Sequence, residues 1–332
     1  MNFDYSEEQQ LLADSVRRFL AKEYDFESRK RIIAGAGWSE EVWAKLAEMG
    51  LTGLPVSPDY GGFGGGAVDL MSVMEAFGEA LVVEPLLPTL MAARLVGRAG
   101  SDAQKKALLP AVAEGRLRMA FAASPKADVV GAPAAHKLLC LLEEDLFIVD
   151  AAEVPMKPYR TLDNMLAAQI DFSPSKADLL AKDARAAVEE AVDFATALIC
   201  AEAVGAMKFA CDTTLEYLKT RKQFGVPIGS FQALQHRIVD MFISYEQAKS
   251  IACLACSKVD SSENPAERAR AVSAAKIKVA DAARHVSQES VQLHGGMGMS
   301  DELKVSHSFR RLTVLARQFG DADHHLERFA SL

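Results

Sequence analysis

The chain contains 332 residues, of which 50% are hydrophobic and 25% are charged, so it is long enough for a large core and two or three domains. Its formal net charge of −8 argues against a nucleic-acid-binding protein, because contact with phosphates requires a basic surface. Five scattered cysteines, an N-terminus unlike a secretory signal and the lack of an apolar run of membrane-spanning length favour a cytoplasmic protein with no membrane span.

Helical periodicity extends through the first third of the chain. Ser6 and Gln9 are placed to form a capping box, and Ser39 can cap a second helix. A glycine-rich loop at 58–66 follows, and three further segments with helical spacing of apolar residues come after it. These signals predict an N-terminal helical domain over residues 1–115.

The middle of the chain has shorter apolar runs. Residues 137–142 and 146–150 flank three acidic residues, which is a hairpin signal, and 167–172 is another extended stretch. A Ser-Pro-Ser sequence at 173–175 then interrupts the pattern. We therefore predict a small β module over residues 116–175.

Long helical patterns return after the β module. The predicted boundaries are a helix end at Thr220, helix starts at Ser230 and Asn264, a terminating glycine at Gly295 and a last long helix ending near Phe319. Four long helices with short connections predict a C-terminal four-helix bundle over residues 176–332. The expected fold is therefore mainly α, with one small β module.

Two motifs lie where helical patterns of the predicted bundle break. Residues 221–225 read Arg-Lys-Gln-Phe-Gly, and residues 292–298 read Gln-Leu-His-Gly-Gly-Met-Gly. A glycine-rich helix end lets a phosphate approach the backbone, because no Cβ blocks the way. An arginine at another helix break can add a bidentate charge to the same phosphates. Together the motifs indicate a bound nucleotide-type cofactor.

The order of domains and three motifs resemble the acyl-CoA dehydrogenase family. Residues 221–228 resemble the family's segment between the first two C-terminal helices, and 292–298 resemble its flavin-binding glycine turn. Residues 58–64 resemble its Pro-x-x-x-Gly-Gly loop, which we expect to border the acyl pocket. The resemblance spans the chain and implies an oxidoreductase of lipid metabolism, a flavoprotein that carries out FAD-dependent α,β-dehydrogenation of an acyl-CoA thioester.

The resemblance also implies that FAD is bound at a subunit interface. In the family, the arginine and the Gln-x-x-Gly-Gly turn reach a neighbouring subunit's FAD and hold its adenosine diphosphate half. Carried over, Arg221, Gln292, Gly295 and Gly296 contact pyrophosphate or adenosine, and Phe224 lies against the adenine side. The family further implies a homo- or hetero-oligomer, either a dimer or a tetramer, and an electron-transfer flavoprotein as the electron acceptor.

The dehydrogenation requires a carboxylate that removes the α proton of the thioester. Most family members place a glutamate between the last two long helices. Alignment backwards from Arg328 puts Asp321 at that position, whereas alignment forwards from Glu302 puts Phe319 there. An aspartate after a glycine between helices is equally well explained as an N-cap. Asp321 is therefore the predicted catalytic residue, and the N-cap interpretation stays open beside it.

The β module departs from the family pattern. Residues 121–125 lack the glutamate of the family's Ala-x-x-Glu-Pro stretch, and the module looks short by a few tens of residues. The chain thus keeps the half of the site that serves a neighbour's cofactor and weakens the half that holds its own. An alternative function follows: a non-catalytic subunit of a heteromeric acyl-CoA dehydrogenase that completes the FAD site of its partner.

Several other residues are expected to have structural roles. The family's second location for a base reads Ala195-Thr196, and Glu202, about two turns further on, is interpreted as a structural or solvated glutamate. The CxxC pair at 253–256 is typical of helix packing, and the adjacent histidines at 324–325 diverge too much to share a metal ion. His294 either contacts the cofactor or satisfies carbonyls at the helix end.

Overall fold

The computed structural model describes residues 6–332 as a mainly helical chain with a small sheet module. Its helices are α1 (Glu7–Glu23), α2 (Phe26–Ala34), α3 (Glu40–Glu48), α4 (Ala67–Ala80), α5 (Leu86–Ala99), α6 (Asp102–Ala113), α7 (Arg185–Thr220), α8 (Gln232–Ser261), α9 (Pro265–His294), α10 (Lys304–Leu315) and α11 (Ala322–Ser331). Its strands are β1 (Met119–Ala122), β2 (Asp128–Val130), β3 (Lys137–Leu142), β4 (Asp145–Asp150), β5 (Met156–Arg160), β6 (Leu166–Ile170), β7 (Asp178–Ala181), β8 (Lys222–Gln223) and β9 (Val226–Pro227).

The chain divides into two compact units. The first comprises the residues up to Phe26, Met71–Val82 and Thr196–Leu332, and the second comprises Glu27–Leu70 and Val83–Ala195. The division falls inside α4 and α7, so neither unit is a continuous segment of the chain.

The predicted hairpin is the centre of one of the two sheets in the second unit. β3 and β4 pair antiparallel with Leu141 opposite Leu146, and β1 and β7 flank them to give the order β1-β3-β4-β7. A second sheet has the order β2-β6-β5. β7 lies after residue 175, with which the predicted β module ends. Residues 119–181 thus form seven strands, and a buried apolar cluster that includes Leu138 and Val149 lies among them. That the module is shorter than in the family stays a prediction.

Local capping signals explain where the helices begin. The Ser6 hydroxyl accepts a hydrogen bond from the Gln9 amide while the Gln9 side chain accepts one from the Ser6 amide, which confirms the predicted capping box. Ser39 caps α3 through the Val42 amide, and Asn264 caps α9 with Pro265 in the first turn. The observed caps confirm these three helix starts. They could be predicted from the sequence because each cap involves residues only a few positions apart.

The bundle of the first unit is organised around α9. This helix packs against α8, α10 and α11, and α7 contacts both α8 and α10. The Ser308 hydroxyl of α10 donates to the Ala206 carbonyl oxygen of α7 at 3.1 Å, and the Cys256 thiol of α8 lies 3.8 Å from the Ala197 carbonyl oxygen. Three of the four predicted long C-terminal helices are present as α7, α8 and α9. The fourth, predicted to end near Phe319, is the 12-residue helix α10, which ends at Leu315, and the short helix α11 follows.

Two glycines let α4 and α7 cross at very short distance. A Cβ added to Gly205 of α7 would lie 1.8 Å from the Glu75 carbonyl oxygen, and one added to Gly78 of α4 would lie 1.9 Å from the Glu202 carbonyl oxygen. These separations are far below any contact that real side chains make, and the obstructing atoms are backbone. Glycine is consequently required on both sides of the crossing.

The helix α7 contains a long apolar window, although no apolar run of membrane-spanning length was expected. By length and composition this helix passes the criterion for a membrane span, with an 18-residue window of mean hydropathy 1.5. However, 89% of that window is buried inside the protein. Packing against neighbouring helices therefore accounts for the apolar character of α7, as expected for a helix that is hydrophobic on most sides and buried.

Candidate cofactor site

The first motif begins at the last turn of α7. The Arg221 amide donates to the Tyr217 carbonyl oxygen at 2.8 Å, and the Ile228 amide donates to the Arg221 carbonyl oxygen at 2.8 Å. Between these bonds the chain forms the β8–β9 hairpin, whose turn residues Phe224 and Gly225 have φ of 55° and 84°. Positive φ at both turn positions is typical of a tight hairpin. Sequence reasoning predicted the helix break but not this hairpin.

The hairpin leaves the predicted binding groups accessible. The Arg221 side chain is exposed, and within residues 6–332 its guanidinium forms no ion pair or hydrogen bond. The Phe224 ring is 91% exposed and meets the Phe231 ring edge to face, at a centroid distance of 6.1 Å. An unpaired guanidinium is free to form a bidentate contact with an anion, and an exposed ring is free to stack.

The second motif lies at the end of α9. Gly295 has φ 61° and ψ −143°, a conformation that residues with a Cβ rarely adopt, and its amide donates to the Gln292 carbonyl oxygen. A short 3₁₀ turn, Gly295–Met299, follows. A Cβ added to Gly295 or Gly296 would meet no atom within 4 Å, and the Gln292 side chain is exposed. The backbone is therefore open on the side from which a ligand would approach.

Tyr217 and His294 bring the two motifs together. The two rings stack with centroids 4.4 Å apart and planes inclined by 28°. The Tyr217 hydroxyl also donates to the His294 carbonyl oxygen at 3.4 Å. Tyr217 lies one helical turn before Arg221, and His294 directly precedes Gly295. The ends of α7 and α9, which are far apart in sequence, are thus neighbours in the structure.

The arrangement fits the diphosphate portion of a dinucleotide. An exposed, unpaired guanidinium supplies positive charge, and the open glycine backbone permits close approach. The exposed Gln292 amide adds hydrogen-bonding groups at the same helix end. Four predicted cofactor residues, namely Arg221, Gln292, Gly295 and Gly296, are grouped in this way, and Phe224 extends from the neighbouring hairpin.

Asp321 is the N-cap of α11. The His324 amide donates to its carboxylate at 3.0 Å, and this bond lowers the pKa of the Asp321 carboxyl below its ordinary value. The side chain is exposed, and the preceding residues Phe319 and Gly320 both have positive φ. The N-cap interpretation is confirmed, whereas the role of Asp321 as a base stays a prediction.

Two buried basic side chains, those of His325 and Lys276, hold the loop that precedes Asp321. His325 donates from Nε2 to the Phe319 carbonyl oxygen at 3.0 Å, and its Nδ1 lies 3.3 Å from the Ser273 hydroxyl of α9. Lys276 of α9 donates to the Leu315 carbonyl oxygen at 2.5 Å. Burial lowers the pKa of His325 to about 4 and that of Lys276 to about 8. The loop is therefore fixed to α9 at both of its ends.

The buried imidazole makes stability sensitive to acid. Because burial lowers the pKa of His325 from 6.5 to about 4, the unfolded chain takes up a proton first as the pH falls. We expect its stabilising contribution to be complete above about pH 6.5 and to be lost progressively towards pH 4, by up to about 3 kcal/mol. Urea unfolding of the unaltered chain and of His325→Gln at several pH values measures this loss.

The exposed neighbour provides the control for this prediction. His324 adjoins His325 but its side chain is exposed, so His324→Gln is expected to keep the acid sensitivity of the unaltered chain. His325→Gln should flatten the decline below pH 6.5. Equal acid sensitivity in both variants would show that His325 does not cause it.

Several other residues singled out in the sequence have defined surroundings in the structure. Glu202 is buried and forms a bidentate ion pair with Arg311, with N–O distances of 2.6 Å and 2.8 Å, so the structural interpretation is confirmed. His294 donates from Nδ1 to the Ser290 carbonyl oxygen at 2.8 Å, which agrees with a histidine satisfying a helix-end carbonyl. The cysteines at 253 and 256 are free and lie within α8. Within residues 6–332, no group of three potential metal ligands occurs.

The glycine-rich loop of the second unit lines a cavity of about 530 Å³. The loop contributes Pro58, Tyr60 and Gly64, while Arg98 of α5 and Lys105 of α6 contribute positive charge from the facing wall. The volume is within the range of small-molecule sites. The expectation that this loop borders an acyl pocket is compatible with the cavity and stays a prediction.

Sequence reasoning missed two contacts between helices, one of which joins the two motifs of the site. The stacking of Tyr217 on His294 and the pairing of Glu202 with Arg311 both join residues of different helices. The only available signal was proximity in sequence to the motifs, because Tyr217 precedes Arg221 by one turn and His294 lies inside the glycine turn. Helix packing, rather than any local pattern, determines which of these side chains meet.

Comparison with known proteins adds family relationships to this geometry. Residues 6–116 match the family described as acyl-CoA dehydrogenase, N-terminal domain, and residues 184–331 match acyl-CoA dehydrogenase, C-terminal domain. The chain is similar to acyl-CoA dehydrogenase IpdE2 of Mycolicibacterium smegmatis, with 30% identity over 325 residues that cover 97% of the chain and 98% of the relative.

Two solved structures have the same fold. One is a variant of the Tcur3481–Tcur3483 steroid ACAD, with a TM-score of 0.90, 25% identity and coverage of 98% of this chain and 97% of that one. The other is described as PigA with FAD and proline, with a TM-score of 0.86, 23% identity and coverage of 100% and 98%. The relative from Mycolicibacterium and the first of these structures extend over nearly the same length as the present chain.

Proposed function

Since this chain belongs to the acyl-CoA dehydrogenase family, we propose that it takes part in the α,β-dehydrogenation of an acyl-CoA thioester as a subunit of an oligomer. Its cofactor is FAD. We place the adenosine diphosphate half of that FAD at the joined ends of α7 and α9. Arg221 and the turn after Gln292 hold the pyrophosphate and adenosine, and the exposed Phe224 ring lies against the adenine.

One observation carries this proposal: the stacking of Tyr217 on His294 brings the two motifs to one place. Each motif alone is weak, because a single arginine or a single glycine turn occurs in many proteins without a ligand. An unpaired guanidinium next to an open glycine backbone is the combination that recognises a phosphate. The pairing of the two motifs is what the family uses for the same purpose.

The residues of the chain have distinct tasks in the proposed reaction. When bound, the flavin accepts the hydride that leaves the β carbon of the substrate. The Asp321 carboxylate is our proposed base for the α proton, since alignment with the family from Arg328 backwards places it at the position of the family's glutamate. The loop before it is fixed by His325 and Lys276, which limits the positions that the carboxylate can reach. An electron-transfer flavoprotein is the proposed electron acceptor.

A second candidate function is favoured by the cap that Asp321 forms. A carboxylate that accepts a backbone hydrogen bond is a weaker base, so the chain is also a candidate for the non-catalytic subunit of a heteromeric enzyme. One similar structure bears a name composed of two proteins, which supports a paired assembly. Purification of the chain alone, followed by a visible spectrum, tests this function. One tightly held flavin per chain together with turnover would exclude the heteromeric alternative.

Arg221→Gln tests the proposed site. We expect the affinity of the assembled protein for FAD to fall by about tenfold to a hundredfold, because a charge-assisted contact with the pyrophosphate is lost. Titration of the apoprotein with FAD, followed by quenching of flavin fluorescence, measures the change. Lys222→Gln is the matched control, since it removes an exposed positive charge from the next residue. Equal effects of both variants would mean that general charge, and not the Arg221 guanidinium, attracts the ligand.

A further inference from the structure

Phosphate recognition by two separate helices requires that their ends keep a fixed distance. The end of α7 carries Arg221 and the end of α9 carries Gly295, and no side chain of either motif contacts the other motif directly among the contacts described above. The link is made by Tyr217 and His294, whose rings stack at 4.4 Å. A ring stack is a suitable spacer, because two planar groups in contact resist both sliding and separation.

Both members of the stack are themselves fixed to the residues that would bind the ligand. On the α7 side, the Tyr217 carbonyl oxygen accepts the Arg221 amide at 2.8 Å, so the ring and the arginine belong to one turn of helix. On the α9 side, the buried His294 ring donates from Nδ1 to the Ser290 carbonyl oxygen at 2.8 Å. A carbonyl can only accept, so Nδ1 carries the proton and the ring orientation is set.

The backbone of the glycine turn is held by the same pair. The Tyr217 hydroxyl donates to the His294 carbonyl oxygen, the peptide that leads directly into Gly295. At 3.4 Å this hydrogen bond is long, so the stack contributes more to the arrangement than the hydroxyl does. On the other side of the turn, a Cβ added to Gly298 would collide with Val291, which closes the turn against its own helix.

We infer that Tyr217 and His294 are positioning residues that set the separation between Arg221 and the Gly295–Gly296 backbone for the diphosphate of FAD. This inference rests on the proposed function, because it assigns a task toward the same cofactor. Beyond that function, the affinity for the diphosphate depends on two side chains, Tyr217 and His294, that need not touch the ligand. A mere packing role would affect stability without selecting among ligands.

The affinities for three different ligands distinguish a positioning role of Tyr217 from a packing role. The probes are FAD and ADP, which contain the diphosphate, and FMN, which contains the flavin ring without it. We expect Tyr217→Leu to weaken FAD and ADP by the same factor, about tenfold, since the stack is lost, while the affinity for FMN is unchanged. Tyr217→Phe keeps the ring and should retain the affinity for ADP within about threefold. Isothermal titration of the protein in its purified oligomeric form measures all three affinities.

Tyr245→Leu is the control for packing. Tyr245 is buried in a helix of the first unit, whereas Tyr217 is half-buried, and the Tyr245 ring neighbours Phe242 rather than either motif. We expect this variant to lower the melting temperature without changing the affinity for ADP. Should Tyr217→Leu bind ADP as the unaltered protein does, or should Tyr245→Leu weaken ADP equally, the positioning role would be overturned.

A single substitution of His294 covers the case in which Tyr217→Leu does not fold, and a double variant tests the coupling of the two rings. His294→Asn removes the stack from the other side, and it should weaken ADP by a similar factor. The double variant should then bind ADP no worse than the weaker single variant, because both substitutions break one contact. Additive losses would contradict the inference. Failure of the unaltered protein to bind FAD or ADP in any assembly would instead contradict the proposed function itself.

Discussion

Asp321→Asn is expected to lower the rate of substrate dehydrogenation by about two to four orders of magnitude, the usual contribution of a general base. The amide cannot accept the α proton. The substitution should leave the fold unchanged, since asparagine caps a helix as well as aspartate does and can keep the hydrogen bond from the His324 amide. The decisive measurement is the rate at which bound flavin is reduced by acyl-CoA under anaerobic conditions.

A neighbouring carboxylate supplies the control for this experiment. Asp323 is exposed in the first turn of α11, so Asp323→Asn removes a similar charge two residues away. We expect this variant to reduce flavin at the rate of the unaltered enzyme, with FAD retained in both variants. Unchanged flavin reduction in Asp321→Asn would assign the base to another subunit and favour the non-catalytic alternative.

Glu202→Gln is expected to lower the free energy of unfolding by about 3–5 kcal/mol. Glu202 of α7 and Arg311 of α10 are both buried and share two hydrogen bonds of 2.6 Å and 2.8 Å. The substitution leaves the guanidinium charged, buried and without its carboxylate, which is the costly state. Urea unfolding at neutral pH, with the midpoint and slope compared to those of the unaltered chain, gives the change.

Two further variants define the cause of this loss. Glu216 and Lys219 form an ion pair at the exposed surface of the same helix, so Glu216→Gln should cost only a small fraction of the loss seen for Glu202. Replacing both Glu202 and Arg311 by leucine should restore much of the stability, because neither charge of this pair remains. A double variant as unstable as Glu202→Gln would show that packing, and not the unpaired charge, was the source.

The reliability of sequence reasoning differed between local and distant features. Ser39 and Asn264 identified helix starts, and the β3–β4 hairpin was found at its correct residues, because these features depend on neighbours in sequence. The parallel pairing of β1 with β3 was not foreseen, since residues outside the predicted hairpin determine it. The same distinction explains why Asp321 could be identified as a cap but not assigned as a base.

At the candidate cofactor site, too, local features were predictable from the sequence and contacts between distant residues were not. Glycines and an arginine at helix ends indicated phosphate chemistry, because conformation and charge are properties of single residues. That Tyr217 would meet His294 depended on the angle and offset at which α7 and α9 pack, which no pattern in either helix specifies. The residues that would touch the ligand were therefore predictable, and the residues that place them were not.

The crossing of α4 and α7 constrains how this sequence can diverge. A methyl group at either Gly78 or Gly205 would have to displace the backbone of the opposite helix, so no compensating change of a side chain can accommodate it. Glu202 belongs to the same stretch of α7, and its ion pair would move with the helix. Homologues that retain this architecture should therefore vary around the two glycines while leaving both in place, which makes the pair a useful marker when distant sequences are aligned.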